Sequence, residues 1–259
     1  MPKWKPNGLV SPLHLPKTCS DLNVIAAWVP VGDVTADGLP LDLSNVPLVD
    51  TVEAATFVTQ KRAAEHAAAR YALATLLRDI GFDPIDLRIV RDEYRKPNLM
   101  WSDAVAETRA GDPLSPSLPE ITLGHSNGIA IAAVSLDGSL IGLDAEPLDV
   151  IRPRNLLTMM ASGDELQYLE DHWATDERAG MQESTRTWVV KEAVQKASGL
   201  GMHVPPQSFS VLNTNQVFLV YQDVRYILDA VHWQQLLDGR PFVFGFSRLT
   251  EVINLNLNP

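Results

Sequence analysis

Helical spacing followed by strand-length apolar runs, twice over, is what most limits how this chain can fold. From about Ala54 to Ile80 the positions Phe57, Ala64, Ala68, Tyr71, Leu73, Leu76 and Leu77 recur at helical spacing, and Gly81 follows as a stop. Short runs come next at Leu87–Val90, Ile121–Leu123, Ile129–Val134 and Leu140–Leu143, with turns at Ser126-Asn127-Gly128 and Asp137-Gly138. Helical signals return from Arg154 to about Leu169 and from Ser184 to Ala197, closed by Gly199 and Gly201. Strand-like runs end the chain: Phe209–Leu212, Val217–Tyr221, Arg225–Leu228 and Phe242–Phe246. This order predicts an α/β (α+β) protein of two halves, residues 1–137 and 138–259, joined near Asp137–Pro147. No sequence repeat links the halves. The first 50 residues are rich in proline and turn formers around a strand at Val24–Pro30. Residues 102–119, with Pro113, Pro116 and Pro119, read as a surface loop.

The chain has 259 residues, 46% of them hydrophobic, enough to bury a sizeable core. Its one cysteine, Cys19, excludes an intrachain disulfide and fits a reducing compartment. The first twenty residues contain no apolar run of signal-peptide length, and runs such as Ile129–Val134 are too short to span a bilayer. The expectation is a cytoplasmic protein with no membrane association. A net charge of −11 argues against nucleic acid as a partner. The charge is uneven, however. Lys61, Arg62, Arg70, Arg78, Arg88, Arg91, Arg95 and Lys96 outnumber Glu65, Asp79, Asp83, Asp86, Asp92 and Glu93 within residues 61–96. A local basic surface on an acidic chain suits a small anionic ligand; a solvated helix face is the plainer reading, and Arg62 and Arg78 fit it best.

Two stretches carry the chemistry. In Ile141-Gly142-Leu143-Asp144-Ala145-Glu146, strand alternation puts the apolar residues on one face and both carboxylates on the other. Farther on, Trp188, Glu192 and Lys196 stand four residues apart on one side of a helix. Carboxylates that converge beside a lysine suit a hard divalent cation and a phosphate ester: the oxygens hold Mg²⁺, and the ammonium takes up remaining negative charge. Read separately, the first is an ordinary pair of acids at a strand end and the second a helix-surface ion pair. His125, at a strand end 19 residues before Asp144, and the adjacent Ser126 offer donors to phosphate oxygens. Arg70, Arg91 and Lys96 add positive charge. Mg²⁺ and Mn²⁺ both accept such ligands.

These residues, in this order, resemble the 4′-phosphopantetheinyl transferases of the surfactin-synthetase-activating type. The resemblance runs from about Thr59 to Gly201. KRAAEHAAARYALATLLRDIG resembles the family's first long helix, and EYRKPNL its Gly-Lys-Pro element. LGHSNGIAIAAV is similar to its Ser-His-Ser element, IGLDAE to Gly-(Ile/Val)-Asp-x-Glu, and WVVKEAVQKASGLG to Trp-x-x-Lys-Glu-Ala-x-x-Lys. Gly124 stands in place of the first serine, Arg95 in place of the glycine, and 102–119 as an insertion.

The resemblance implies two similar halves in a pseudo-two-fold arrangement with coenzyme A in the cleft between them. It implies Mg-dependent transfer of the phosphopantetheine arm to a serine of an apo acyl or peptidyl carrier protein, releasing adenosine 3′,5′-bisphosphate. Asp144, Glu146 and Glu192 would hold Mg²⁺, Glu192 or metal-bound water would take the serine proton, and Lys196 would neutralise the phosphate under attack. His125 and Ser126 would contact phosphates, with Arg70, Arg91 and Lys96 around the 3′-phosphoadenosine part. Residues 152–160, where Arg152 and Arg154 stand beside Leu156, Leu157, Met159 and Met160, offer a carrier-docking surface or an amphipathic core helix. A chain that forms its own cleft is expected to act as a monomer. Two other readings use the same residues: a coenzyme-A-binding protein without turnover, and a Mg-dependent phosphoesterase acting on coenzyme A or a nucleotide.

Overall fold

Strand pairing in the computed structural model, which describes residues 10–20, 22–31, 46–109, 115–150 and 152–257, builds three antiparallel sheets. The chain divides into two compact units, one running to Gly138 without Tyr94–Lys96, the other comprising Tyr94–Lys96 and Ser139 onward. The fold class is α+β, as the order of periodicities predicts.

The first unit contains β1 (Ser11–Pro12), α1 (Lys17–Ser20), β2 (Val24–Pro30), α2 (Thr51–Ala54), α3 (Gln60–Asp79), β3 (Leu87–Arg91), β4 (Pro97–Trp101), α4 (Asp103–Arg109), β5 (Glu120–Ser126) and β6 (Ile129–Ser135). Its main sheet has the order β1-β2-β6-β5, and β3 pairs with β4. Ala64, Ala68 and Ala72 of α3 are buried in one cluster with Ala27 of β2 and Ala130 and Ala132 of β6. Small side chains on both partners let helix and sheet approach closely. The helix expected from about Ala54 to Ile80 begins only at Gln60, and Thr51–Ala54 before it is a separate short helix. Asp50 caps α2 through the Val52 and Glu53 amides, and Thr59 caps α3 through the Arg62 amide at 3.2 Å. The surface loop expected over 102–119 contains α4 before its prolines begin; residues 110–114 lie outside the described residues. Asn127 and Gly128 turn β5 into β6 with φ of 44° and 93°.

The second unit contains β7 (Ile141–Pro147), α5 (Leu157–Met160), α6 (Gly163–Thr175), α7 (Glu177–Ala197), β8 (Val217–Tyr221), β9 (Val224–Leu237) and β10 (Arg240–Asn254). Its sheet order is β7-β10-β9-β8. The helix expected from Arg154 to Leu169 breaks where Ala161 is extended and Gly163 takes φ 56°. Phe209–Leu212 is not a strand. Lys191, fully buried on α7, donates to the carbonyls of Pro206 (2.8 Å) and Phe209, and the Val211 amide donates to Glu165 at 2.7 Å. Side chains thus satisfy backbone groups that a sheet would otherwise pair. Among the described residues, no helix is long and apolar enough to cross a membrane.

Candidate functional site

Gly142, Asp144 and Glu146 share one face of β7, and register carries that face onto Gly245, opposite Asp144 on β10. A Cβ at Gly142 would stand 1.9 Å from the Ala193 carbonyl oxygen, and one at Gly245 would stand 2.3 Å from that of Val189. The two bare positions let the α7 backbone lie against the sheet beside Asp144. The opposite face of β7, Ile141, Leu143 and Ala145, is buried and apolar.

That approach brings Lys196 to Asp144. Its ammonium donates to Asp144 Oδ1 at 2.7 Å and to the Leu143 carbonyl at 3.0 Å. Asp144 is 4% exposed, its Oδ2 is buried away from any N–H donor, and the Glu192 carboxyl shares a hydrogen bond with the Asp144 carboxylate. Glu192, one turn before Lys196, is pushed up to about 8, first by burial and then by the like charge of Asp144, with Lys196 opposing and Glu146 adding. Burial works against the charge on Lys196, but Asp144 and Glu192 outweigh it and raise its pKa.

Glu146, on the same face, is held at 2.6 Å by Arg152 Nη2. Among the described residues, no three His, Cys, Asp or Glu side chains form a ready-made metal group. The donor set nevertheless fits a hard divalent cation. It is all oxygen, its Asp144 Oδ2 is buried away from any N–H donor, and Glu192 is raised first by burial and then by the Asp144 charge, a repulsion that a cation between them would relieve. Glu146 and Glu192 also line a pocket of about 300 Å³ with Arg152, Leu157, Met160 and Trp188. The stretch 152–160 therefore provides a wall of this pocket as well as a small core, in which Leu157 and Met160 pack with Leu169 and Trp173.

In the first unit Arg70, 4% exposed, and Arg91 share one carboxylate, Glu53, at 3.6 and 2.9 Å. His66, one turn before Arg70, is lowered to about 4 by burial and then by Arg70. Its Nε2 and the Arg70 Nε are buried without hydrogen-bond partners. His125 pairs with Glu65 at 3.3 Å and meets Arg62. Arg62 is exposed but not merely solvated, because its guanidinium contacts the His125 ring. Ser126 is buried, with the Asn127 side-chain amide donating to its hydroxyl at 3.0 Å. Lys96 groups with the second unit, where a Cβ at Gly199 would come within 3.3 Å of its Cδ.

Sequence reasoning overlooked Glu53, Glu65, His66 and Arg152's hold on Glu146. The spacing of Arg62, His66 and Arg70 at i, i+4 and i+8 was a legible signal of one polar helix stripe. Glu53 offered none, because it arrives from a separate short helix.

No curated protein matches the chain. Residues 140–240 match the family model of the 4′-phosphopantetheinyl transferase superfamily, a segment that carries both the Asp144-x-Glu146 strand and the Trp188–Lys196 helix stripe. The match supports phosphopantetheinyl transfer as the chain's general class of reaction.

Proposed function

We propose that the chain transfers the 4′-phosphopantetheine group from coenzyme A to a serine of an apo acyl or peptidyl carrier protein, in the manner of the surfactin-synthetase-activating type. One observation carries this reading: Lys196 bonded to a buried Asp144 that also shares a hydrogen bond with the buried Glu192, inside the matched segment. Asp144, Glu146 and Glu192 would hold Mg²⁺, which when bound would neutralise charge on the coenzyme's pyrophosphate.

The chain's own groups do the rest. Glu192 accepts the proton of the carrier serine hydroxyl. Without a cation, burial and then the Asp144 charge raise Glu192 to about 8; a bound dication would favour its ionised form, leaving it free of its own proton and able to accept that of the serine. The serine oxygen bonds to the phosphorus bearing the pantetheine arm as the bond to the adenosine 3′,5′-bisphosphate oxygen breaks. Lys196 sits where the phosphate under attack gathers charge, and being fixed by Asp144 and Leu143 it needs little reorganisation. Arg70, Arg91, Lys96, His125 and Ser126 bind coenzyme phosphates, the guanidiniums exchanging Glu53 for phosphate oxygens. Leu156 and Met159, exposed beside the pocket at Glu192, suit an apolar contact with the carrier.

The test is intact-mass measurement of an apo carrier protein after incubation with this chain, coenzyme A and Mg²⁺. A gain of one phosphopantetheine, abolished by chelator, is the expected result. Coenzyme A cleaved with no carrier modified would make the chain a phosphoesterase. Coenzyme A bound but intact, across carriers of several types, would make it a binding protein.

A further inference from the structure

The two β7 carboxylates are each answered by a cation of the chain itself, but the two cations differ in kind. Lys196 comes from the middle of the unit, on the long helix α7, and donates to both the Asp144 carboxylate and the Leu143 carbonyl. Arg152 follows Glu146 by only six residues, past the end of β7, and stands on the wall of the pocket. Its Nη2 lies 2.6 Å from Glu146 Oε2, yet neither Nη2 nor Nε, both buried, makes a hydrogen bond of good geometry. A guanidinium normally meets a carboxylate with two parallel hydrogen bonds. Here the charge is matched and the donors are left largely unused, so the pair holds Glu146 by Coulomb attraction more than by a fitted fork. Burying unused donors costs free energy, which lowers the barrier to replacing this partner.

We infer that Arg152 is a placeholder cation: it occupies Glu146 while the carboxylate site is empty of a divalent ion, and the ion must displace it to recruit Glu146. This rests on the reading of Asp144, Glu146 and Glu192 as the cation's ligands. The argument is one of charge and place. Glu146 shares the Asp144 face of β7, and Glu192 feels its charge. The guanidinium at 2.6 Å from its Oε2 holds Glu146 by charge, and an incoming ion must compete with it for that oxygen. A dication arriving at Asp144 and Glu192 repels that guanidinium and competes for the same oxygen, so ion and Arg152 exclude each other. Arg152 also lines the pocket with Leu156, Leu157 and Met160. Its departure therefore changes the pocket wall beside Glu192, coupling ion loading to the shape of that surface.

The experiment is titration of the purified full chain with Mn²⁺, followed by electron paramagnetic resonance of the free ion, for the unaltered chain, Arg152→Gln, Arg152→Met and Arg152→Lys. Removing the competitor should tighten Mn²⁺ binding about tenfold in Arg152→Gln and in Arg152→Met, equivalent to about 1.4 kcal/mol. Met keeps the apolar stem against the pocket wall, so either variant serves if the other folds poorly. Arg152→Lys, which keeps the charge, should bind Mn²⁺ close to the unaltered chain. Unchanged or weaker binding in the neutral variants would overturn the inference and make Arg152 a support for Glu146, while leaving the cation site intact. Absence of Mn²⁺ binding in every form, the unaltered chain included, would overturn the reading of the three carboxylates as ligands, and this inference with it.

Discussion

Gly142 on β7 meets Ala193 on α7 so closely that a Cβ would stand 1.9 Å from the Ala193 carbonyl oxygen and 2.7 Å from the Ala197 amide nitrogen. The obstacle is helix backbone, which cannot swing aside as a long side chain can. Gly142→Ala must therefore push α7 from the sheet, and Glu192 and Lys196 away from Asp144 with it. Overpacking a core costs about 1–3 kcal/mol, and a backbone clash this short belongs at or above the top of that range. Denaturant unfolding should show a loss of about 3 kcal/mol or more, with carrier modification lost even where the variant is folded. Gly81→Ala is the contrast. Its φ is 98° but nothing lies within 4 Å, so only the left-handed backbone penalty of about 1–2 kcal/mol applies.

Lys191 and Glu165 form a fully buried ion pair at 2.6 Å, and each also holds backbone of the 206–211 segment. Burial lowers the Lys191 pKa, and the Glu165 charge beside it acts in the other direction. Removing one partner strands the other charge in the core. Lys191→Ala should cost about 3–5 kcal/mol, read as a lower denaturation midpoint. The 206–211 backbone should then exchange amide hydrogens faster, because two carbonyl contacts and the partner that anchors Glu165 are gone.

Two groups give the metal-free protein opposing pH dependences. His66 ionises near 4 folded and near 6.5 unfolded, so below about 6.5 the unfolded chain binds the proton the folded one refuses. This erodes stability as pH falls toward 4. Glu192 ionises near 8 folded and near 4.5 unfolded, so between these values the folded chain keeps a proton the unfolded one releases. This erodes stability as pH rises toward 8. The two oppose each other between about 4.5 and 6.5, and from 6.5 to 8 only Glu192 acts. Thermal unfolding in chelator should show stability falling across 6.5–8, a slope that Glu192→Gln removes. A slope that survives this substitution would assign the extra proton elsewhere. His66→Gln should leave that limb unchanged and raise relative stability toward pH 4.5.

The strand alternation of Ile141–Glu146 and the four-residue spacing of Trp188, Glu192 and Lys196 were legible because each is local: period alone fixes the face. What brings the two together was not legible as a contact. Gly142 and Gly245 look like any strand glycines until α7 lies on them. The missed α4 shows the same limit, since the prolines after it gave the whole stretch a loop composition. Phe209–Leu212 read as a strand because it is apolar, whereas its backbone partners are Lys191 and Glu165, charged side chains from two other helices. Glu53 was invisible for a similar reason: it reaches Arg70 and Arg91 across sequence separations that no periodicity covers.

Those ion pairs make the basic cluster a separable test. Arg91→Ala and His125→Ala remove partly exposed side chains from the partly buried Glu53 and the buried Glu65, which keep Arg70 and Lys61 respectively as charge partners. Each should weaken coenzyme A binding, by about 1.4 kcal/mol or tenfold for a lost charge-assisted contact, with little change in unfolding midpoint. Calorimetric titration with coenzyme A and with dephospho-coenzyme A separates the contributions. A variant that loses affinity for the first and not the second acts at the 3′-phosphate. Equal affinity to the unaltered chain for both would make that residue's contacts structural.

Glu192→Gln and Lys196→Ala divide stability from chemistry within one site. The amide of Glu192→Gln is neutral at every pH and nearly isosteric, so it relieves the repulsion from Asp144 and Glu146. Above about pH 8 the variant should be more stable than the unaltered chain in chelator. It should also transfer no measurable phosphopantetheine, since both the proton acceptor and a proposed cation ligand are gone. Lys196→Ala removes the partner of a buried carboxylate, leaving Asp144 uncompensated, and should be destabilised and slowed in transfer by about 10²–10³-fold. Ordinary carrier modification by Glu192→Gln would refute the base assignment. A loss below about tenfold in Lys196→Ala, at a temperature where the variant is fully folded, would reduce Lys196 to a structural partner of Asp144.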